Sequence, residues 1–177
     1  MKTTLRLFLS ALIGILFAGV AAAAAPAAKT NTWVEVIFLH PENYTDVRDA
    51  FGASEMGREG ILTQLRDYLV RRTMTCVPDG QKLTITFTDI DLAGDYEPWH
   101  GAEAMDVRVV KEIYPPKLDL EFKLTSADGK VVKEGKRQLR DLLFMSRLSL
   151  NRDDPLHFEK SMLEDWLRKE FSPAKSG

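Results

Sequence analysis

The sequence predicts an α+β fold, a two-layer sandwich with two long helices on one face of a mostly antiparallel sheet of four or five strands. Apolar and polar residues alternate over 83–88 and again over 118–124, which indicates strands with one buried and one wet face. Two longer segments, near 54–72 and 155–171, repeat apolar residues at helical spacing. The resulting order, β-α-β-β-β-β-α, favours an antiparallel sheet whose apolar face both helices cover.

Residues 1–25 have the layout of a secretory signal peptide. Lys2 and Arg6 precede an uncharged run over 7–20, and small residues suitable for cleavage follow it. The uncharged stretch extends to Ala28, so a retained membrane anchor is the alternative, but the alanine-rich end favours a cleaved signal. We therefore expect export to the periplasm as a soluble protein.

The rest of the chain is predicted to form one domain. Residues 26–32 are expected to be a flexible leader, 33–172 the single α+β domain and 173–177 a disordered tail. A mature chain of about 150 residues buries about 68–70% of its unfolded surface, so it needs no disulfide. The only cysteine, Cys76, is too far from the cleavage region to carry a lipid anchor, and we expect it to be buried.

The charge of the mature chain argues against a nucleic-acid partner. Removal of Lys2 and Arg6 from the 24 basic residues leaves 22 against 26 acidic residues, a net charge of −4. A protein with this balance has no electrostatic attraction to polyanions. No membrane attachment is expected once the signal is removed, and the oligomeric state is not defined by the sequence.

The first strand is predicted over 33–39 and ends where Pro41 cannot continue the ladder. Residues 42–52 are expected to be a loop or short turn. The first long helix is predicted over 54–72, because Ser54 is a suitable cap and apolar residues recur at helical spacing after it.

The central strand that begins at Leu83 is predicted to bulge or end near Asp89, where its alternation changes phase. Residues 91–104 then form a long acidic loop. A weaker strand is predicted over 107–113, followed by two adjacent prolines that fit a tight reversal or a kinked edge strand; the reversal is slightly favoured.

The C-terminal part begins with a hairpin turn at 126–129 and a strand over 131–139. Gly135 is expected to mark a bulge in this strand. Residues 142–150 are expected to be a short helix or a covering segment. Asp154 caps the last helix, on whose surface we expect i,i+4 ion pairs between Glu164 and Arg168 and between Asp165 and Lys169.

The acidic loop is a candidate metal site. Asp89, Asp91, Asp95 and Glu97 place four carboxylates around Gly94. Hard oxygen ligands on a loop that folds back suit calcium, so a cation-dependent protein is one hypothesis, and calcium is the one cofactor considered. The alternative is that the carboxylates are solvated, cap backbone amides or pair with basic residues such as Arg108 and Lys111.

The same loop carries a candidate recognition surface formed by Tyr96, Glu97, Trp99 and His100. Tryptophan and tyrosine on a loop provide contact area at a low entropic cost, which is typical of binding surfaces. The alternative is that Trp99 packs under the sheet as an anchor.

Catalytic signals in the sequence are weak. His40, His100 and His157 are dispersed, so a zinc site would need chance convergence, and no serine has a Gly-x-Ser-x-Gly setting. The carboxylates of Asp95 and Glu97 leave glycoside hydrolysis as a weaker alternative, because their spacing in sequence does not set their separation in space. No catalytic residue is therefore assigned.

Three strings carry a resemblance to a known family: FTDIDLAGD at 87–95, EPW at 97–99, and DVRVVK at 106–111 with YPP at 114–116. The chain resembles the exported bacterial family called domain of unknown function number 3016, from the first strand to the last helix. The resemblance implies no activity and no site residue. Our leading hypothesis is a non-enzymatic periplasmic binding or accessory module, in which the 91–104 loop contacts an envelope protein or a ligand.

Overall fold

The computed structural model of the protein describes residues 34–48, 54–97, 99, 107–147 and 153–171. The predicted signal peptide, leader and tail lie outside these ranges and stay predictions. The helices and strands are β1 (Val34–Phe38), α1 (Glu55–Thr73), β2 (Lys82–Asp91), β3 (Asp95–Tyr96), β4 (Arg108–Val109), β5 (Lys117–Thr125), β6 (Val131–Arg140) and α2 (His157–Phe171). Short 3-10 helices lie at Pro41–Asn43 and at Phe144–Ser146.

The main sheet has four strands in the order β1-β2-β5-β6. β1 runs parallel to β2, whereas β2 with β5 and β5 with β6 are antiparallel pairs. β3 and β4 form a separate two-stranded ribbon inside the segment predicted as loop and weak strand. The predicted α+β class and element order are confirmed, and within the described ranges β3 is added to them.

The core lies between the sheet and both helices, as the alternation of apolar residues predicts. Leu83, Ile85 and Phe87 of β2 are fully buried, and the inward residues of β5 are nearly so. They belong to one apolar cluster with Leu65 of α1 and Trp166 of α2, so the two helices cover the same face. Alternation with a period of two is sufficient to predict these strands, because one face of the sheet packs on the core and the opposite face is wet.

The start of α1 is confirmed in detail. Ser54 is extended and its hydroxyl accepts a hydrogen bond from the Gly57 amide at 3.0 Å, which satisfies one of the unpaired donors of the first turn. The helix then buries Ile61, Leu62 and other residues of the same stripe against the sheet. The last helix begins at His157, two residues later than Asp154 as its cap predicts, although Asp154 Oδ1 accepts a hydrogen bond from the Leu156 amide at 2.9 Å in the preceding turn.

One predicted bulge is confirmed and one is wrong. The pairing of β2 with β5 shifts between Phe87 and Asp89, as the change of phase predicts. The pairing of β6 continues without a break through Gly135, which lies opposite Phe122, and shifts instead beside the hairpin, between Leu124 and Thr125. A Cβ atom at Gly135 would lie 3.2 Å from the Phe122 ring, so this glycine provides room for an aromatic side chain.

The weak strand predicted over 107–113 is shorter than expected, because only Arg108–Val109 pairs with another strand. The chain reverses just before the two prolines, where the Tyr114 amide donates to the Lys111 carbonyl at 2.9 Å. This agrees with the favoured tight reversal. No peptide bond in the described ranges is cis.

The predicted ion pairs along α2 are wrong. Glu164 contacts Arg72 of α1 and accepts a hydrogen bond from the Tyr68 hydroxyl, so it joins the two helices. Asp165 pairs with Arg147 and Arg168. The spacing of residues within one helix does not show which basic side chains of neighbouring elements lie close to its acidic residues.

Cys76 is partly buried and packs against the apolar core, so its expected burial at the exit of α1 is confirmed in part. Val77, which follows it, fills the apolar position at the exit of α1. Among the helices that the structure describes, none is both long enough and apolar enough to cross a membrane.

Candidate functional site

The candidate site lies at the end of the sheet where β2 finishes and β5 begins, since Asp91 is paired with Lys117. After β2 the chain turns at Gly94, whose φ of 83° is left-handed. The Gly94 amide donates to the Tyr114 carbonyl at 3.0 Å, which ties this turn to the segment before β5. The first part of the predicted acidic loop, residues 91–97, is therefore attached to the rest of the fold; we call it the root of the loop.

The first two acidic residues of the loop are engaged by neighbouring elements. The carboxylate of Asp89 accepts hydrogen bonds from the amide and the hydroxyl of Thr45, each at 2.7 Å. The carboxylate of Asp91 pairs with the Lys117 ammonium at 2.7 Å. These contacts hold the segment after β1 and the start of β5 against the end of β2.

Glu97 lies inside the protein, with only 2% of its surface exposed. The Lys111 ammonium lies 2.7 Å from both of its carboxylate oxygens, and the Tyr114 hydroxyl donates to one of them at 3.0 Å. The pairing with Lys111 is the alternative that the sequence left open for this loop. The hydrogen bond to Glu97 raises the pKa of Tyr114, because the carboxylate stabilises the protonated hydroxyl.

Asp46 is the centre of a second buried ionic cluster, which sequence reasoning missed. Its carboxylate pairs with Arg108 at 2.9 Å and with Arg48 at 3.0 Å, and the residue is 6% exposed. Burial alone would lower the pKa of Arg108, but the hydrogen bond and the charge of Asp46 raise it. Both guanidinium groups also lie over the Tyr96 ring, about 5 Å from its centroid.

Arg108 also supports the backbone around the turn. Its guanidinium donates to the carbonyls of Ala93, Gly94 and Arg48 at 3.0–3.4 Å. With the Asp46 carboxylate, these acceptors engage both of its terminal nitrogens. Arg108 is therefore a structural cation that closes the turn onto the segment after β1.

The four carboxylates proposed as metal ligands are directed to separate partners. Asp95 contacts Arg48 at 3.4 Å and accepts from the Tyr96 amide at 2.7 Å, while the other three have the contacts given above. No group of three or more histidine, cysteine, aspartate or glutamate residues in the described ranges is arranged to hold a metal ion. The structure thus does not bring Asp89, Asp91, Asp95 and Glu97 together.

The four residues proposed for binding have different positions. Trp99 is 67% exposed, which contradicts the alternative that it packs under the sheet. Tyr96 is half-buried and its hydroxyl donates to the Arg48 carbonyl at 3.3 Å, whereas Glu97 is the buried anchor described above. His100 lies outside the described residues.

A groove of about 730 Å³ borders the site. One wall is the start of α1, and the other is formed by the turn after β2 and by the residues just before α2; the lining is mostly apolar. Its lining includes Met56, Ile61, Leu92, Tyr96 and Leu156. This volume is within the range of small-molecule pockets, about 300–1,000 Å³.

Glu159 is a second buried acid that sequence reasoning missed. It lies on the apolar side of α2, is 1% exposed, and its Oε1 accepts a hydrogen bond from the Ala93 amide at 2.7 Å. Burial raises the pKa of this carboxyl. The sequence did contain a sign that Glu159 is buried. Glu159 lies three residues before Met162 and four before Leu163, on the stripe of the helix that is otherwise occupied by apolar residues.

The model of a family described as Protein of unknown function (DUF3016) matches residues 32–169 of the chain. This range includes every strand and nearly all of the last helix. The resemblance inferred from the sequence is thereby confirmed. No curated protein and no solved structure gives a significant match.

Proposed function

Because the chain belongs to the DUF3016 family, which is described only as of unknown function, we propose a function from the site itself: a non-enzymatic periplasmic binding module that contacts its partner through the 91–104 segment. The observation that carries the proposal is an exposed Trp99 close to a deeply anchored root. Trp99 is 67% exposed, whereas Glu97, two residues before it, is 2% exposed. A large aromatic side chain on a fixed support is typical of binding hot spots.

The root of the segment is held by several independent contacts. Glu97 is paired with Lys111, Asp91 with Lys117, and the Gly94 amide donates to the Tyr114 carbonyl. A support that is ordered before association reduces the entropy lost on binding. These contacts favour recognition by a preformed surface.

The groove beside the root supports the same proposal. Its lining is mostly apolar, and the nearby Arg48 and Arg108 are neutralised by Asp46 and Asp95. A surface of this kind suits an uncharged, apolar part of a partner better than an anion. We propose that the partner contacts Trp99 and extends towards this groove.

A photo-cross-linking experiment tests the role of Trp99. A benzophenone amino acid placed at Val107, which is 53% exposed and follows the 91–104 segment, leaves Trp99 in place. It should give a discrete cross-linked product in envelope extract, and unlabelled wild-type protein should compete for it. Trp99→Ala should compete about thirtyfold less well or worse, since loss of a hot-spot tryptophan costs about 2 kcal/mol or more. Its far-UV circular dichroism spectrum should match that of wild type, which would show that the loss is one of binding and not of folding.

The matched control carries the photoreactive residue at Val132, which is 53% exposed and lies near the opposite end of the sheet, beside the hairpin. This position should not give the same product. Identical products from both positions, or equal competition by wild type and Trp99→Ala, would show that the 91–104 segment is not the binding surface.

Calcium dependence is the alternative function, and a titration separates it from the proposal. We expect no calorimetric heat and no change in melting temperature on addition of calcium, because Asp89, Asp91 and Asp95 are already engaged by Thr45, Lys117 and Arg48. A ligand at a hundred times its dissociation constant would stabilise the fold by about 2.7 kcal/mol. A rise in melting temperature that a chelator reverses would favour the calcium hypothesis.

A further inference from the structure

The carboxyl group of Glu159 is enclosed in the core where α2 meets the turn after β2. It is 1% exposed, and its Oε1 accepts a hydrogen bond from the Ala93 amide at 2.7 Å. Its Oε2 is also buried and has no hydrogen-bond partner in the part of the chain that the structure describes. A buried carboxylate needs several donors or a close cation, so this environment suits the neutral acid.

The charged groups acting on Glu159 do not provide this compensation. They are Arg108 from β4 and His157 from its own helix, and both favour the ionised form. Arg108, however, directs its terminal nitrogens to Asp46 and to backbone carbonyls. The His157 ring lies against the Asp154 carbonyl. The hydrogen bonds from the Ala93 and Glu159 amides also favour the ionised form, but burial outweighs all of these and raises the pKa of Glu159.

The residue that Glu159 holds is central to the site. Leu92 and Ala93 line the groove, and Gly94 begins the turn that leads to Trp99. Glu159 itself lies behind this wall, on α2. The hydrogen bond from the Ala93 amide therefore joins Glu159 to the wall of the groove and to the root of the 91–104 segment.

We propose that Glu159 is a proton-controlled latch: in its neutral form it holds the turn around Ala93 against α2, and its ionisation releases that turn. Opening of the turn lets water reach Oε2. Hydration then stabilises the negative charge of the carboxylate, for which the closed state provides too few hydrogen-bond donors. Rising pH thus favours the open state of the groove wall. The latch goes beyond the proposed binding function and can be tested on the protein alone.

The sign of the effect follows from proton linkage. The pKa of Glu159 is raised above its ordinary value of 4.5 in the closed state, so the closed state keeps its proton over a range in which the exposed carboxyl loses it. Within that range each pH unit shifts the opening equilibrium about tenfold towards the open state. The stabilisation is complete below the ordinary pKa and is lost as pH rises to the raised pKa.

Hydrogen exchange at the Ala93 amide measures this opening. After correction for the intrinsic exchange rate, protection in the wild type should fall by about tenfold per pH unit above about pH 4.5, until the raised pKa is passed. Glu159→Gln keeps an acceptor for the Ala93 amide but cannot ionise, so its protection should stay constant. Constant protection in the wild type, or the same fall in Glu159→Gln, would overturn the latch.

Two control variants isolate Glu159 from other titrating groups. Glu164→Gln removes a carboxylate from the same helix, and His157→Gln removes the neighbouring imidazole; both should keep the wild-type fall in protection. If Glu159→Gln does not fold, a pH titration of the carboxyl ¹³C chemical shift of Glu159 in the wild-type protein tests the proposal instead. A titration midpoint at or below the ordinary value of 4.5 would overturn the proposal.

Discussion

Leu120→Ala is expected to lower the free energy of unfolding by about 2–5 kcal/mol, the cost of a large-to-small change in a packed core. Leu120 lies at the centre of β5 and is 1% exposed. It is paired with Phe87 of β2 on one side and with Arg137 of β6 on the other, so the sheet cannot collapse into the space that the side chain leaves. Urea denaturation monitored by far-UV circular dichroism measures the loss.

Asp119→Ala is the matched control, because Asp119 precedes Leu120 on the same strand and points to the opposite face. Its carboxylate accepts a hydrogen bond from the Gln138 side chain at 3.1 Å, which is an exposed contact. We expect a change within about 0.5 kcal/mol. Similar losses in both variants would mean that the assignment of the two faces of β5 is wrong.

The strands with one buried face were predictable because alternation is a local signal. Leu83, Ile85 and Phe87 are fully buried, and the threonines between them are not. Neither neighbour of β2 had to be known to make this prediction. The two long helices were predictable for the same reason, from caps and spacing within each segment.

The site could not be derived in the same way, because its contacts join distant parts of the chain. Asp46 forms an isolated parallel bridge with Asp91 and an ion pair with Arg108, and nothing in the sequence around it marks it as buried. The four acids of the loop look equivalent in sequence. Only long-range pairing makes Glu97 an internal anchor and binds Asp89 to Thr45 from the segment after β1.

The glycine at position 135 of β6 correctly indicated a special backbone position, but the predicted reason for it was wrong. A glycine within a strand indicates a bulge, a bend or a close approach by another group. The sequence around Gly135 favoured a bulge, whereas in the structure the Phe122 ring lies 3.2 Å from the position of a Cβ at residue 135. The ring belongs to the neighbouring strand, so the choice between these causes required the register of β5 and β6.

Gly94 lies at the closest backbone approach of the site. Its φ is 83°, a conformation that side chains with a Cβ disfavour. A Cβ there would lie 2.8 Å from the Val109 carbonyl oxygen and 3.2 Å from the Val109 carbonyl carbon. These are backbone atoms of β4, the partner strand of β3. Relief of this contact therefore requires the two-stranded ribbon to separate from the turn.

Gly94→Ala is accordingly expected to lower the free energy of unfolding by about 2–5 kcal/mol, from about 1–2 for the left-handed backbone and about 1–3 for the contact. Gly129→Ala is the control, since Gly129 has a φ of 82° but no atom within 4 Å of its Cβ position. It should cost only about 1–2 kcal/mol. Urea denaturation of both variants gives the energetic cost of the close contact as the difference between their losses in free energy of unfolding. Equal losses would mean that the two-stranded ribbon moves away from the added Cβ without a loss of stability. With the larger loss in Gly94→Ala, the amides of β3 and β4 should also lose protection from hydrogen exchange before those of β5, because the strain is released where the ribbon meets the turn.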